Sequence, residues 1–255
     1  MSARTQTLNS VTNAVRLLKE FGRGDTQLGV SQLSRRIGVS KSTAHRLVAT
    51  LVAEGLLEKV EDTGLFRLTN TMRSLGASAE TAQKLHQAST AALDQLRATT
   101  NATIHIAILD GSDVIYVERR EGPGAMQVFR KVGSRNSVHA TSTGKVLLAH
   151  LPSPDREAIV DQLRLVRKTA FTITSKSRLL QELEVIKRQG YAENRYESEV
   201  GMCSVAAAIR DRDGRVVAAV SIAATIPSRD ASLGPMTRQV LDTATRISRA
   251  LGWQR

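Results

Sequence analysis

A short polar run, KSTAHR, begins at Lys41 and brings hydroxyls, an imidazole and two cations close together. At about 100° per residue, a helix here puts Ser42 and Arg46 opposite its apolar positions, with Thr43 and His45 beside them. Side chains of these types near a helix start reach base edges in a DNA major groove, while Lys41 and the free helix amides can bind phosphate. The run therefore predicts a DNA-reading surface, and the alternative is an ordinary solvated helix.

Two short helices must hold this run in place. Apolar spacings of three and four predict a first helix that ends near Ile37 and a second that starts after Ser40. Gly38 lies in the short turn between them, and Ser31 and Ser40 are the expected N-caps, whose hydroxyls accept bonds from free amides. Two short helices joined by a turn that contains Gly form a helix-turn-helix.

A hairpin and a further helix complete this N-terminal region. Residues 56–60 and 65–68 flank turn-forming residues at 61–64, which predicts a hairpin and hence a winged domain. Residues 10–21 have helical apolar spacing, with Ser10 as the expected N-cap. Basic residues on the helices and the hairpin extend the surface for phosphate contacts. The predicted DNA-contacting residues are Arg35, Lys41, Ser42, Thr43, His45, Arg46, Lys59 and Arg67.

A second polar run, TSTGK, begins at Thr141. Its neighbouring hydroxyls and the free amides of a helix start are suited to a carboxylate or another small polar ligand. A nucleotide-binding phosphate loop does not fit, because His139 replaces the required Gly and Val146 replaces the required Ser or Thr. Two alternatives stay open for this run, namely ligand binding and simple capping of the helix.

Nucleophilic and metal chemistry have weak signals in the sequence. Cys203 and Ser204 are candidate nucleophiles, but the five histidines are scattered far along the chain. A buried Cys in a strand usually behaves as a small apolar residue. No short-spaced Cys or His pair indicates a metal site, and no cofactor is expected.

The period of the apolar residues changes from helical to alternating after Asn101. Residues 71–100 predict a helix with a break or kink near 76–78. Residues 103–109 and 114–118 then alternate on either side of an Asp-Gly-Ser-Asp turn, which predicts a hairpin. The order of elements argues for an α+β domain on an antiparallel sheet. Further strands are expected at 126–129, 203–209 and 216–223, and helices at 142–150, 154–165, 177–189 and 233–251.

The amino-acid composition indicates the kind of partner and the cellular compartment. The 255-residue chain has a formal net charge of +12, which favours a polyanionic partner such as nucleic acid. Residues 1–70 hold 10 Lys and Arg against 6 Asp and Glu, so charge alone does not locate the site. The single cysteine excludes an internal disulfide framework. Without a long apolar run or a signal segment, the sequence predicts a soluble cytoplasmic protein that does not contact membrane.

Several short motifs together resemble the IclR family of bacterial transcriptional regulators, and the resemblance spans nearly the whole chain. The N-terminal motifs are STAHRL from Ser42, TL from Thr50 and EGL from Glu54. The C-terminal motifs are TSTGK, LLA, TIT, GYA, GM and VAAAI, which begin at Thr141, Leu147, Thr172, Gly190, Gly201 and Val205.

The resemblance implies a winged helix-turn-helix at 1–70, a linker helix used in dimerisation at 71–85, and an effector-binding domain of GAF-like fold at 86–255. It also implies a homodimer or homotetramer on palindromic double-stranded DNA operators. The implied effector is a small metabolite, often an organic or aromatic acid.

The resemblance implies that the family's effector positions correspond to Ala140–Gly144 and to three later positions. Family members often carry an acidic residue at the position of Asn194, a Cys at that of Ser204 and a Ser at that of Ser221; this chain departs from the pattern at the first two. It also departs at Ala223, where some members carry a second Ser. The implied effector-binding residues are Ala140, Thr141, Ser142, Thr143, Gly144, Asn194, Ser204 and Ser221.

The leading interpretation is a ligand-responsive transcription factor that is not an enzyme. One alternative is a small-molecule enzyme with an accessory winged helix, in which Cys203 or Ser204 is the nucleophile. The sequence shows no spaced base and orienting acid to support it. A third interpretation is that the winged domain serves protein contacts only.

Overall fold

The computed structural model describes residues 7–122 and 131–254, without the side chains of residues 73–81. The described chain divides into two units after Gln83. The strand expected at 126–129 lies outside the described residues.

The first unit is a winged helix-turn-helix, as the sequence predicts. Its strands pair antiparallel and form the wing. The helices are α1 (Asn9–Glu20), α2 (Val30–Ile37) and α3 (Lys41–Ala53), and the strands are β1 (Leu57–Lys59) and β2 (Phe66–Leu68).

Apolar residues from all three helices and from β1 meet in one core. Leu28 ties the wing to the start of α2, because its amide and its carbonyl each bond Phe66 at 3.0 Å. Full burial of one such Leu contributes about 1.5–3 kcal/mol, so this small core can hold the unit together. The core residues are Leu17, Phe21, Leu28, Leu33, Ile37, Val48, Leu51 and Leu57.

The turn between α2 and α3 has the predicted geometry. Gly38 has φ of 70°, in the left-handed region that glycine adopts without a Cβ clash, and its amide bonds the Ser34 carbonyl at 3.1 Å. Ser40 caps α3 as predicted, since its hydroxyl accepts the Thr43 amide at 3.2 Å.

Two of the expected N-caps are wrong. Ser31 lies inside α2, because the Gln32 side chain accepts the Gly29 amide at 2.8 Å and the helix starts earlier. Ser10 lies inside α1, because the Leu8 carbonyl already accepts the first helical hydrogen bond. In both helices, bonds that the sequence pattern does not show decide where the helix begins.

A long helix, α4 (Asn70–Thr100), follows the wing without the predicted break near 76–78. The stretch has no Pro, and one Gly in a helix interior costs only about 1 kcal/mol, which neighbouring helix formers offset. Its C-terminal half packs on the sheet of the second unit through Leu85, Leu93 and Leu96. This half is therefore buried within its own chain.

The second unit contains one antiparallel sheet of six strands in the order β5-β4-β3-β8-β7-β6, which confirms the α+β prediction. The sequence did not reveal β5 and β6, because these short strands carry few apolar residues and show no clear alternation. The strands are β3 (Thr103–Asp110), β4 (Asp113–Arg120), β5 (Arg135–Ser137), β6 (Tyr191–Arg195), β7 (Met202–Arg210) and β8 (Val216–Thr225).

Helices cover both faces of this sheet. One face packs against α5, α6 and α7, and the other against α4 and α8. Since successive side chains of a strand alternate, Ile104 and Ile106 face α4 and α8, whereas His105 between them faces α5. The helices not yet named are α5 (Ser142–Ala149), α6 (Ser153–Gln162), α7 (Lys176–Gln189) and α8 (Gly234–Ala250).

Candidate DNA interface and ligand cavity

The predicted DNA-contacting residues of α3 lie on its exposed side. Ala44, Val48 and Leu51 of the same helix are buried, so the helix presents one apolar and one polar face. The exposed polar residues are Lys41, Ser42, Thr43, His45 and Arg46.

The Ser40 hydroxyl organises the start of this polar face. Its oxygen lies 2.9 Å from the hydroxyl oxygens of both Ser42 and Thr43. The three hydroxyls form a network at the helix N-terminus, where the free amides carry partial positive charge. Because every member is exposed, these bonds can be exchanged for base edges or phosphate oxygens.

The predicted DNA-contacting cations outside α3 have different partners. Arg35 donates from Nε to the Ser31 carbonyl at 3.3 Å. Arg67 pairs across the wing with Glu58, with 2.5 Å between Nε and Oε1 and about half of each side chain exposed. Exposed ion pairs contribute roughly 0–1 kcal/mol, so Arg67 can leave Glu58 for a phosphate. Lys59 is also exposed, on the same wing.

A cavity of about 50 Å³ lies between the start of α5, the sheet and the segment after β6. Pockets for drug-sized ligands span roughly 300–1,000 Å³, so this cavity fits a compact group of few heavy atoms. The structure brings together most of the effector residues that the sequence implies, and places Ala140 and Gly144 elsewhere. Those on the lining are Thr141, Ser142, Thr143, Asn194, Ser204 and Ser221.

Ala140 and Gly144 are not on the cavity lining and are closely packed. Ala140 is fully buried. A Cβ at position 144 would lie 2.3 Å from the Val138 carbonyl oxygen, so only glycine lets α5 approach the preceding turn this closely.

The hydroxyls at the start of α5 have three different roles. Thr141 caps the helix, since its hydroxyl accepts the Gly144 amide at 3.2 Å, and the capping interpretation is correct for this residue. Ser142 lies 2.8 Å from Ser204, oxygen to oxygen, and so joins α5 to β7. Thr143 is 2 % exposed, and its hydroxyl has no hydrogen-bond partner among the described residues. An unpaired buried hydroxyl is costly, so Thr143 is a candidate hydrogen-bond partner for a ligand.

The segment after β6 forms the facing wall. The Asn194 side chain accepts the Glu197 amide at 2.8 Å and donates to the Ser198 hydroxyl at 2.7 Å. Sequence reasoning found only Asn194 here, because it missed β6 and therefore could not place the residues that follow that strand. The residues missed in this wall are Ser198, Glu199 and Met202.

His105 lies on the sheet side of the cavity, opposite Ser221 in the ladder between β3 and β8. Its ring centroid is 4.8 Å from that of Tyr116. Burial, and secondarily the cation of Arg119 opposite it in β4, lowers the pKa of His105 to about 3. The imidazole is therefore neutral at physiological pH and offers one donor and one acceptor.

Three lining residues outside the facing wall were also missed by sequence reasoning. For His105 a signal existed, since a polar residue between Ile104 and Ile106 must face the opposite side of the sheet. The other two lining residues are Tyr116 and Asn136.

The cavity is not arranged for nucleophilic catalysis. Cys203 packs in the apolar core on the other face of the sheet, and burial raises the pKa of its thiol. Ser204 bonds Ser142. His105, with a pKa near 3, accepts a proton poorly at neutral pH.

Among the side chains that the structure describes, no group of three or more His, Cys, Asp or Glu is placed to hold a metal ion. Within the described part of the chain, no helix is long and apolar enough to cross a membrane.

A winged helix-turn-helix joined to a domain with a buried polar cavity defines a DNA-binding transcriptional regulator. Two family models match the chain: the IclR helix-turn-helix domain at residues 10–61, and the bacterial transcriptional regulator IclR C-terminal domain at residues 77–249. The chain belongs to the IclR family of transcriptional regulators. It is a regulator and not an enzyme, so the alternative of an enzyme with an accessory winged helix is wrong.

One named regulator and two solved structures illustrate the similarity. The HTH-type transcriptional regulator XynR of Escherichia coli (strain K12) is 33% identical, over 96% of this chain and 98% of its own. An IclR homolog from Microbacterium hydrocarbonoxydans, solved in complex with 4-hydroxybenzoate, is 28% identical with a TM-score of 0.63, covering 95% of this chain and 99% of that one. The C-terminal domain of E. coli KdgR is 29% identical with a TM-score of 0.60, covering 67% and 99%.

The lowered pKa of His105 makes the protein less stable in acid. Below its ordinary pKa of 6.5 the unfolded chain protonates this imidazole, whereas the folded chain does so only near pH 3. Stability therefore falls as the pH drops through this window, by up to about 1.4 kcal/mol per pH unit from this group. We expect urea unfolding of His105→Gln to show a shallower decline between pH 6.5 and 4 than the wild type.

The exposed His45→Gln variant controls for loss of an imidazole and should follow the wild type. Equal pH slopes in His105→Gln and the wild type would contradict the burial of a neutral His105.

Proposed function

We propose that this regulator binds a palindromic operator as a dimer or tetramer, and that a small organic or aromatic acid in the cavity controls the binding. The observation that carries the proposal is the convergence of Ser142, Ser204 and Ser221 on one cavity, in a chain that also carries a winged helix. We assign residues 1–70 to the DNA-binding domain, 71–85 to the linker helix and 86–255 to the effector-binding domain. The matching family is one of bacterial transcriptional regulators, and bacterial DNA lies in the cytoplasm, so we place the protein there.

Different residues of the winged helix read bases and hold phosphates in this proposal. The N-terminal turns of a helix in the major groove carry the side chains that reach base edges, and these turns of α3 are exposed. Arg46, Ser42 and Thr43 read bases, helped by His45. The phosphate-binding residues are Arg35, Lys41, Lys59 and Arg67.

Substitution of Arg46 separates base reading from phosphate binding. Arg46→Ala should lose roughly 1–3 kcal/mol of operator affinity and relax the preference at one base pair, because an arginine that reads guanine makes two hydrogen bonds. Lys41→Ala is the matched control and should weaken binding to all sequences alike. Fluorescence anisotropy with operator and random DNA measures both, and an equal loss on the two DNAs for Arg46→Ala would sink the assignment.

The cavity has the donors that an acid needs. The Thr143 hydroxyl and the amides at the start of α5 can bind a carboxylate. Arg119 adds positive charge nearby, since it lies opposite His105 in the ladder and both therefore point to the cavity side of the sheet. Its side chain is 13% exposed and pairs at 2.7 Å with the exposed carboxylate of Glu121, while its Nε has no hydrogen-bond partner among the described residues.

The size of the cavity narrows the choice of acid. A volume of about 50 Å³ favours a compact acid such as acetate or lactate. An aromatic acid of the kind bound by the Microbacterium homolog needs a wall to move or part of its ring to extend through the opening. Both sizes therefore belong in a binding test.

Ser221→Ala tests the ligand site. Calorimetric titration with acetate, lactate and 4-hydroxybenzoate should find binding in the wild type, and the variant should lose roughly 1–3 kcal/mol because a polar ligand group is left unpaired. DNA affinity without ligand should not change. Ser248→Ala, at a buried serine of α8 away from the cavity, is the control. No acid binding in the wild type, or equal losses in both variants, would contradict the site.

The proposed dimer uses the N-terminal half of α4. The C-terminal half packs on its own sheet through Leu93 and Leu96, so we propose the linker that precedes it as the partner surface. Two-fold symmetry also doubles the length of DNA sequence that is read, because each of the two recognition helices contacts one half-site.

Light scattering should therefore find a dimer or tetramer at micromolar concentration. Footprinting should show two inverted half-sites. A monomer that binds one asymmetric site tightly would end this proposal.

A further inference from the structure

A buried ion pair joins the two walls of the cavity from behind. Lys145 of α5 is 1 % exposed, and its Nζ lies 2.7 Å from Oε1 of Glu197 in the segment after β6. Glu182 of α7 is a weaker partner, at 3.4 Å from the same Nζ and with 38% of its side chain exposed. The strongest contact of this ammonium is therefore with the facing wall of the cavity.

Both partners adjoin the lining without being part of it. Lys145 follows Thr143 on α5 by two positions, and Glu197 directly precedes Ser198. Thr143 and Ser198 line the cavity, whereas Lys145 and Glu197 do not. A displacement of either charged side chain would thus be passed to a lining residue.

The backbone of Glu197 is held as well as its side chain. Its amide donates to Asn194 Oδ1 at 2.8 Å, and its carbonyl accepts the Thr172 hydroxyl at 2.7 Å. These bonds and the contact with Lys145 fix the segment from three sides.

The ion pair is a poor device for stability alone. Burial raises the pKa of Glu197, an effect that Lys145 opposes, and Oε2 of Glu197 has no hydrogen-bond partner among the described residues. Replacement of such a buried pair by apolar residues is often neutral or stabilising. Unlike an apolar contact, the ion pair is directional and therefore favours a single arrangement of the two walls.

We propose that Lys145 and Glu197 are positioning residues, which hold the segment 194–199 against the start of α5 and so fix the positions of the lining residues on the two walls. The importance of these positions for a ligand rests on the proposed function. The ordering of the segment does not depend on the proposed function.

A second ion pair in the same unit provides a control. Arg156 of α6, with 8% of its side chain exposed, lies 2.7 Å from Glu184 of α7, whose side chain is 48% exposed, and neither residue lines the cavity. Its removal should cost stability without changing the segment at 194–199.

The test separates stability from positioning by removing the charges singly and together in the full chain. Lys145→Met alone leaves a buried carboxylate without its partner and should lower Tm by roughly 6–20 °C. The double variant Lys145→Met/Glu197→Leu should regain most of this loss. Hydrogen exchange at the amides of residues 196–199 should nevertheless be about tenfold faster in the double variant than in the wild type.

The control variant Arg156→Met/Glu184→Gln should keep wild-type exchange at 196–199. Glu197→Gln retains volume and a hydrogen-bond acceptor, so it remains measurable if the double variant does not fold, and it should raise exchange at the same amides. Wild-type exchange in whichever variant folds would overturn the proposal. If acetate, lactate and 4-hydroxybenzoate all fail to bind the wild type, the effector proposal fails, while the exchange experiment still decides the role of the ion pair.

Discussion

Burial of polar groups is the constraint on which the second unit depends. Hydroxyls, amides and charges that leave water must find partners inside the protein, or their burial destabilises the fold. The contact between Ser142 and Ser204 meets this requirement, and the pair of Lys145 with Glu197 meets it except at Oε2 of Glu197. The Thr143 hydroxyl, on the cavity lining, also has no partner within the described residues, and in the proposed function a ligand atom supplies one.

In the first unit, by contrast, the candidate DNA-contacting residues are exposed. The turn and the cap at the start of α3 determine where these residues lie. Gly38 sets the turn before α3, and Ser40 caps that helix and contacts the hydroxyls that face outward. Both units share α4, which begins directly after the wing and ends buried on the sheet. In the proposed dimer, this helix is the candidate element through which ligand binding changes the spacing of the two recognition helices.

The sequence predicted those elements whose apolar residues recur at a clear period. The three helices of the winged unit, the strands β3, β7 and β8, and the helices that cover the sheet follow from such patterns. It did not reveal β5 and β6, which are short and polar, and so it missed the lining residues that these strands place, such as Asn136 and Ser198. The N-caps expected at Ser10 and Ser31 were wrong because other bonds of the folded chain define those helix starts. The resemblance to the IclR family supplied Asn194, Ser204 and Ser221, which no local pattern connects.

In the proposed switch, ligand bound in the cavity changes the affinity of the winged helix for DNA, and bound DNA changes the affinity for the ligand. Thermodynamic linkage requires this coupling to be reciprocal, so an effector that changes operator affinity must have its own affinity changed by operator by the same factor. The direct measurement is a calorimetric titration into the protein of whichever of acetate, lactate and 4-hydroxybenzoate binds. It is done with and without a saturating concentration of an operator selected from random DNA. The account predicts two affinities that differ by roughly 5–150-fold. Identical affinities in the two titrations would contradict a ligand-controlled DNA switch.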